Sequence, residues 1–394
     1  MYDNAHYNGS VKIAPAANYL SGSLQISVST NQEKQEHKFI IQKSISIKGL
    51  ECAGLIKYKT LQGNNNPFME DAKTIVLYFD KPVKEFSFIL FYNLKFAING
   101  KWETNRITRD WTELGIYAPW YPYFNNAKVT YELTINIVGD YELISIGDLK
   151  KETNYKLVCK TPQISILLLV ANKFNSLISP DNTINVHWPD GLADQYPKHL
   201  LEISQDIYFS LTEMLEPTNE SKINMIIANR NKAGGYVRRN YIIMQNKEKL
   251  GDNEGLFKWL SHEFGHIWWY KADTNTWQDW LNESYAEYYS LQIIKKYKGE
   301  NAYQSIIHKK EKTSENKPPI KEISRRSDDA YTVLYDKGCL LLISLANFVG
   351  EAEFLEFNKE LLKLKELNTN NWLELLKTKF GNEAFEIANK MLSE

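Results

Sequence analysis

Cysteine is scarce: Cys52, Cys159 and Cys339 are the only three in 394 residues, far apart and odd in number. That count excludes a disulfide framework and a cysteine-built metal site. Net charge is nearly absent too. The 47 basic and 48 acidic side chains leave −1, so no electrostatic footprint points to nucleic acid or an anionic membrane as partner. Long apolar runs are also missing. The most apolar stretches, residues 164–171 and 339–345, fall well short of the ~20 residues a spanning helix needs. The N-terminal heptapeptide has no basic region followed by an apolar stretch, so no signal peptide is expected, and a cytoplasmic enzyme is the default expectation.

What is present is ordinary globular material, 43% hydrophobic and 24% charged, in a chain long enough for two cores. The 10 Trp, 24 Tyr and 17 Phe suit a substrate cleft but equally fill cores. Residues 1–178 read as strands. Segments 24–28, 38–41, 74–79, 86–90, 129–137 and 164–170 alternate or are rich in β-branched and aromatic side chains, which predicts an antiparallel β-sandwich-like domain. Residues 175–182 have linker composition. From 179 to 394 the periodicity turns helical, with segments at 198–215, 253–271, 281–297, 338–348, 352–363 and 372–380, and strands at 223–228 and 236–244. The expected class is α+β in two domains, 1–178 and 179–394.

His262-Glu263-Phe264-Gly265-His266 fits H-E-x-x-H. Residues four apart share a helix face, so two imidazoles can reach one ion. Leu256, Leu260, Phe264 and Ile267 form an apolar stripe on the same segment, which predicts a buried helix whose polar residues need partners. Two core histidines making ordinary hydrogen bonds are the competing explanation. Catalytic zinc takes three protein ligands, and Glu283, in Trp280-Leu281-Asn282-Glu283-Ser284-Tyr285-Ala286-Glu287, offers a third from a following helix. Glu287, one turn on, either supports a ligating histidine or is a solvated carboxylate.

H-E-F-G-H followed by W-L-N-E-S-Y-A-E-Y resembles the aminopeptidase N family of gluzincin metallopeptidases. The resemblance spans nearly the whole chain. It implies a thermolysin-like catalytic domain, one Zn²⁺ per chain on His262, His266 and Glu283, Glu263 as general base, and a peptide substrate. Tyr335-Asp336-Lys337-Gly338 matches the family's Y-x-K-G, whose tyrosine steadies the tetrahedral intermediate. The segment from Trp120-Tyr121-Pro122-Tyr123-Phe124 through 129–147 is similar to the end of the family's β domain. Nine residues before Pro122, Glu113 stands where the family grips the substrate's free amine. Three departures accompany these matches. The spacer between His266 and Glu283 is sixteen residues rather than eighteen, with Glu287 the alternative ligand. The G-A-M-E-N strand is reduced to Gly234-Gly235-Tyr236-Val237-Arg238. A short form without the family's large C-terminal helical domain is the expectation. Gly234 and Gly235 would let a peptide approach the strand closely, and Arg238 would attract an acidic side chain; a plain turn and a solvated residue are the competing explanations. The implied activity is aminopeptidase, with an endopeptidase, another amide hydrolase, or a non-catalytic peptide-binding relative as alternatives.

Overall fold

The computed structural model describes residues 2–69, 71–95, 104, 106–218, 222–230, 234–246 and 253–394. Alternating burial drives the first half into sheet: along Tyr19–Gln42, Leu20, Leu24, Ile26 and Val28 point into the core while the intervening residues face outward. The large sheet runs in the order Asp148–Lys151, Tyr155–Gln163, Lys128–Ile137, Tyr2–Ala14, Tyr19–Gln42, Ala72–Lys95, Ser46–Cys52, with Leu55–Leu61 also on Ala72–Lys95. It is mixed rather than purely antiparallel, because Tyr2–Ala14 and Lys128–Ile137 pair in parallel. The chain builds Tyr19–Gln42, Ser46–Cys52, Leu55–Leu61 and Ala72–Lys95 between these two and returns by a long crossover, as a parallel pair requires. A second sheet, Arg106–Ile107, Thr112–Leu114, Leu168–Ala171, Glu142–Ser145, shares the first sheet's core through Trp120, Tyr121 and Leu168. The strand expected over 164–170 starts only at Leu168, because residues 164–167 carry the chain from the large sheet to this one.

The expected linker is not one. Phe174–Ile178 is a strand pairing with Ile184–Pro189, and 179–183 form its turn. There the Ser179 hydroxyl donates to Asp181 and accepts from the Thr183 and Ile184 amides, while Asn182 takes a positive φ of 61°. Turn chemistry and linker chemistry use the same residue types. The resulting five-stranded sheet has the order Phe174–Ile178, Ile184–Pro189, Ile223–Ala228, Tyr241–Gln245, Gly235–Arg238, its middle three strands parallel. The strand expected over 236–244 is a tight hairpin, Gly235–Arg238 against Tyr241–Gln245.

Helices complete the described chain: α1 Gln195–Leu215, α2 Asn253–Gly265, α3 Trp280–Lys298, α4 Glu300–Ser314, α5 Gly338–Val349, α6 Glu351–Lys363 and α7 Thr369–Ser393, the last broken at Gly381, where φ is 84°. Every residue of α3 from Trp280 to Leu291 is buried, so this helix is the axis of the second core. α4 carries too few apolar residues to announce itself. The stretch Thr332–Val349 is long and apolar enough to cross a membrane by length and composition alone. Its Cys339, Leu341, Leu342 and Leu345 are buried in the same core as α3, which accounts for its apolar character.

Candidate metal centre and active site

Leu256, Leu260, Phe264 and Ile267 are all buried in the second core, as the apolar stripe predicts, and they fix the roll of α2. α2 stops at Gly265 instead of continuing to 271. From there the backbone tightens into three-residue turns, with the amides of His266, Ile267 and Trp268 donating to the carbonyls of Glu263, Phe264 and Gly265. His266 therefore sits on the turn that ends the helix. Its Nδ1 lies 3.1 Å from the Trp269 carbonyl; a carbonyl only accepts, so Nδ1 carries the proton and the Nε2 lone pair is left for a cation. The turn is clamped by Trp269 stacked 3.9 Å over Tyr285 of α3.

Two close approaches bring the ligand-bearing elements together. A Cβ on Gly265 would lie 2.9 Å from the Ala286 Cα and 3.2 Å from its Cβ, so the glycine of H-E-F-G-H is what lets α2 cross α3 at this depth. Gly338 plays the same part on the opposite side, where a Cβ would run into the Ser284 hydroxyl. That hydroxyl donates to the Leu334 carbonyl at 2.6 Å, inside a π-helical turn, Thr332–Lys337, that presents Tyr335. The sixteen-residue spacer closes through Asn282. Its side chain accepts from the Ala272 amide at 3.1 Å and donates to the Ala272 carbonyl at 3.0 Å and to Asp279 at 2.8 Å.

The outcome is a compact donor set. Nε2 of His262 is 3.3 Å and Nε2 of His266 is 3.2 Å from Oε2 of Glu283, and the two Nε2 atoms are 3.2 Å apart. Metal–ligand bonds of about 2.0–2.1 Å in a tetrahedron imply ligand–ligand edges of about 3.3–3.4 Å, so the spacing suits zinc. Oε2 of Glu283 is buried with no hydrogen-bond donor, an arrangement that calls for a cation. Among the described residues this is the one group of His, Cys, Asp and Glu that could hold a metal. Burial opposes the charge on His266, but the Glu283 carboxylate outweighs it and lifts the imidazole to about 9; a bound metal ion would take the place of the Nε2 proton. Burial likewise opposes the charge on Glu283, yet the two imidazoles hold its carboxyl well below the usual range.

The residues around the cage fall as follows. Glu263 is buried on α2 beside His262. The Tyr335 ring lies parallel to His262 at 5.5 Å; burial, then the charge of Glu283, pushes its phenol well above 10, against the opposing charge of Arg325. Glu287 is not solvated. Its Oε1 is 3.5 Å from Nδ1 of His262, and Lys258 and Lys310 flank it at 2.8 Å and 3.1 Å. Burial opposes its charge, but the two lysines overcome that and hold its carboxyl at about 2.

The proposed substrate residues are placed differently from what the sequence suggests. Glu113 has no exposed surface. Its Oε2 accepts from Trp111 at 3.0 Å and Arg230 at 3.2 Å, and its Oε1 from the Tyr236 hydroxyl at 2.9 Å. The guanidinium already compensates its charge, so the open carboxylate expected here is not what this position presents. Gly234 ends at the mouth of the hairpin, its carbonyl accepting from the Gln245 amide. Gly235 lies flush against the Trp259 ring, where a Cβ would come within 2.4 Å, so its small size serves packing onto α2. Arg238 is wedged between the rings of Tyr117 and Tyr236, 5.0 and 4.7 Å from their centroids, and donates to the Val237 carbonyl. Sequence reasoning missed Lys258, Lys310, Arg230 and Arg325, because nothing in a single sequence marks a cation as buried.

A buried two-histidine, one-carboxylate cage with an adjoining glutamate and tyrosine defines a gluzincin-type zinc hydrolase site. Residues 222–391, the segment that carries His262, Glu263, His266, Glu283 and Tyr335, match the peptidase family M1 domain, and the chain is a zinc-dependent metallopeptidase. No curated protein matches the sequence. Among solved structures, an M1 zinc metallopeptidase from Deinococcus radiodurans is similar at a TM-score of 0.75 with 15% identity, covering 100% of this chain and 94% of that one. A mutant of that enzyme bound to a Tyr-Ser-Ala substrate gives a TM-score of 0.73 at 14% identity over the same shares, 100% and 94%. Leukotriene A4 hydrolase from Saccharomyces cerevisiae gives 0.74 at 16% identity, covering 99% of this chain and 66% of that one. These likenesses establish the two-domain α+β fold.

Proposed function

We propose that this protein is an aminopeptidase that releases N-terminal residues from peptides, with His262, His266 and Glu283 holding one Zn²⁺. The observation that carries the reading is the donor triangle of 3.2–3.3 Å around an unsatisfied Glu283 oxygen, set in an M1 domain. Bound zinc would polarise the scissile carbonyl and acidify the attacking water toward ~7. Glu263 takes the proton from that water and returns it to the leaving amine. Tyr335 donates its hydroxyl hydrogen to the developing oxyanion; its raised pKa keeps it protonated for that task. Gly235–Arg238 has only Tyr241–Gln245 as a strand neighbour among the described residues, so its other edge is free to pair with an extended peptide.

One observation favours a second reading, an endopeptidase: the Glu113 carboxylate is committed to Arg230 and Tyr236 and offers no spare charge to an ammonium group. Cleavage of matched free and N-acetylated peptides decides between them. The aminopeptidase cleaves the free peptide and slows sharply on the acetylated one. Equal rates on both would leave the endopeptidase.

A further inference from the structure

We propose that Lys310 is a positioning residue that ties the Tyr335 turn to the ligand-bearing helix, a role that rests on the peptidase reading above. Lys310 projects from α4 and is buried, 5% exposed. Its ammonium lies 3.1 Å from Oε2 of Glu287 on α3 and donates to Oδ1 of Asp336. Each carboxylate touches one half of the catalytic apparatus. Glu287 faces Nδ1 of the ligand His262 at 3.5 Å. Asp336 directly follows Tyr335 in the π-helical turn and takes a further hydrogen bond from the Thr313 hydroxyl at 3.0 Å. Lys258, from α2, holds Glu287 from its other side at 2.8 and 2.9 Å. Two lysines and two carboxylates thus form a charge-balanced cluster contributed by α2, α3, α4 and the turn.

Stability does not explain such a cluster. Desolvating buried ions costs about as much as their attraction returns, and apolar replacements are often neutral or stabilising. Geometry does explain it. The π turn departs from the regular helix ladder and is anchored from outside on both flanks of Tyr335. Ser284 of α3 binds the Leu334 carbonyl, and Lys310 of α4 binds Asp336. Freed from the second anchor, the turn keeps its chain path but lets the Tyr335 hydroxyl wander relative to the oxyanion position, where a misplacement of about 1 Å costs about 10²-fold.

The test uses the full zinc-loaded chain with Lys310→Met, which removes the charge at similar length, and Lys310→Arg, which keeps it. Lys310→Met is expected to lower kcat at least ~10-fold with KM little changed. Zinc affinity, measured by chelator competition, should shift by less than ~10-fold, while Tm falls, because removing one partner leaves Asp336 without its cation. Lys310→Arg should restore most of the loss. Asp336→Asn cuts the same tie from the other end and carries the test if Lys310→Met fails to fold; the double variant should lose no more than either alone. Amide hydrogen exchange over residues 332–337 should quicken in both single variants. Unchanged kcat in both, or kcat and zinc affinity falling in step in both, would overturn the proposal. A wild-type protein that cleaves no peptide would refute the peptidase reading alone. The tie would then be judged by the exchange measurement, where unchanged rates in both variants refute it.

Discussion

Gly265→Ala probes the helix crossing on which the metal cage depends. The added Cβ would stand 2.9 Å from the Ala286 Cα and 3.2 Å from its Cβ, and both are fixed parts of a helix buried on all sides. Carbon atoms settle at about 3.5–4.0 Å, so α2 and α3 must part locally by about 0.6–1.1 Å. His262 and His266 move with one side of that gap and Glu283 with the other. Their ligand atoms are now 3.2–3.3 Å apart, and metal–ligand distances tolerate only about 0.2 Å of error. Overpacking of this kind costs about 1–3 kcal/mol, partly offset by the better helix propensity of alanine. Zinc affinity should therefore fall by about 10–100-fold, the range seen when support around a metal site is disturbed. The metal-free protein should lose only a few degrees of Tm. Chelator competition and thermal unfolding with and without zinc measure both. Gly234→Ala, whose Cβ would meet nothing closer than 3.7 Å, is the control and should bind zinc normally. A Gly265→Ala protein with wild-type zinc affinity would refute the argument that this crossing sets the cage.

The other expectations concern individual side chains. Glu263→Gln should keep zinc, by metal analysis, and abolish turnover, because it removes the base and leaves the ligands; full activity would sink the mechanism. Glu283→Ala should lower zinc occupancy far more than Glu287→Ala, since supporting carboxylates cost only about 10–100-fold in affinity; the reverse order would move the third ligand to Glu287. Tyr335→Phe should bind zinc and substrate normally but depress kcat and kcat/KM together, by about 10²–10³; an effect confined to KM would assign Tyr335 to packing.

The chemistry of the cage was legible because its spacing rule is local. Two histidines one turn apart are brought together by helix geometry before any tertiary contact exists, and the family's W-L-N-E pattern marked the carboxylate on the next buried helix. Apolar periodicity likewise announced α2 and α3, and alternation announced most of the first half as strand. Parallel pairing of Tyr2–Ala14 with Lys128–Ile137 was not legible, since a strand's pattern does not name its neighbour. The segment 175–182 could not be told from a linker, because Ser, Asn, Asp and Pro serve both. Only the folded chain decided what the second layer of charge does. Glu113 stands in the right sequence context for gripping an amine, yet Arg230, from more than a hundred residues away, has already taken its charge. Glu287 could have been a solvated helix residue, until Lys258 and Lys310 were brought against it. Burial and ion pairing are properties of what surrounds a side chain, and those surroundings come from distant parts of the chain that local periodicity does not encode.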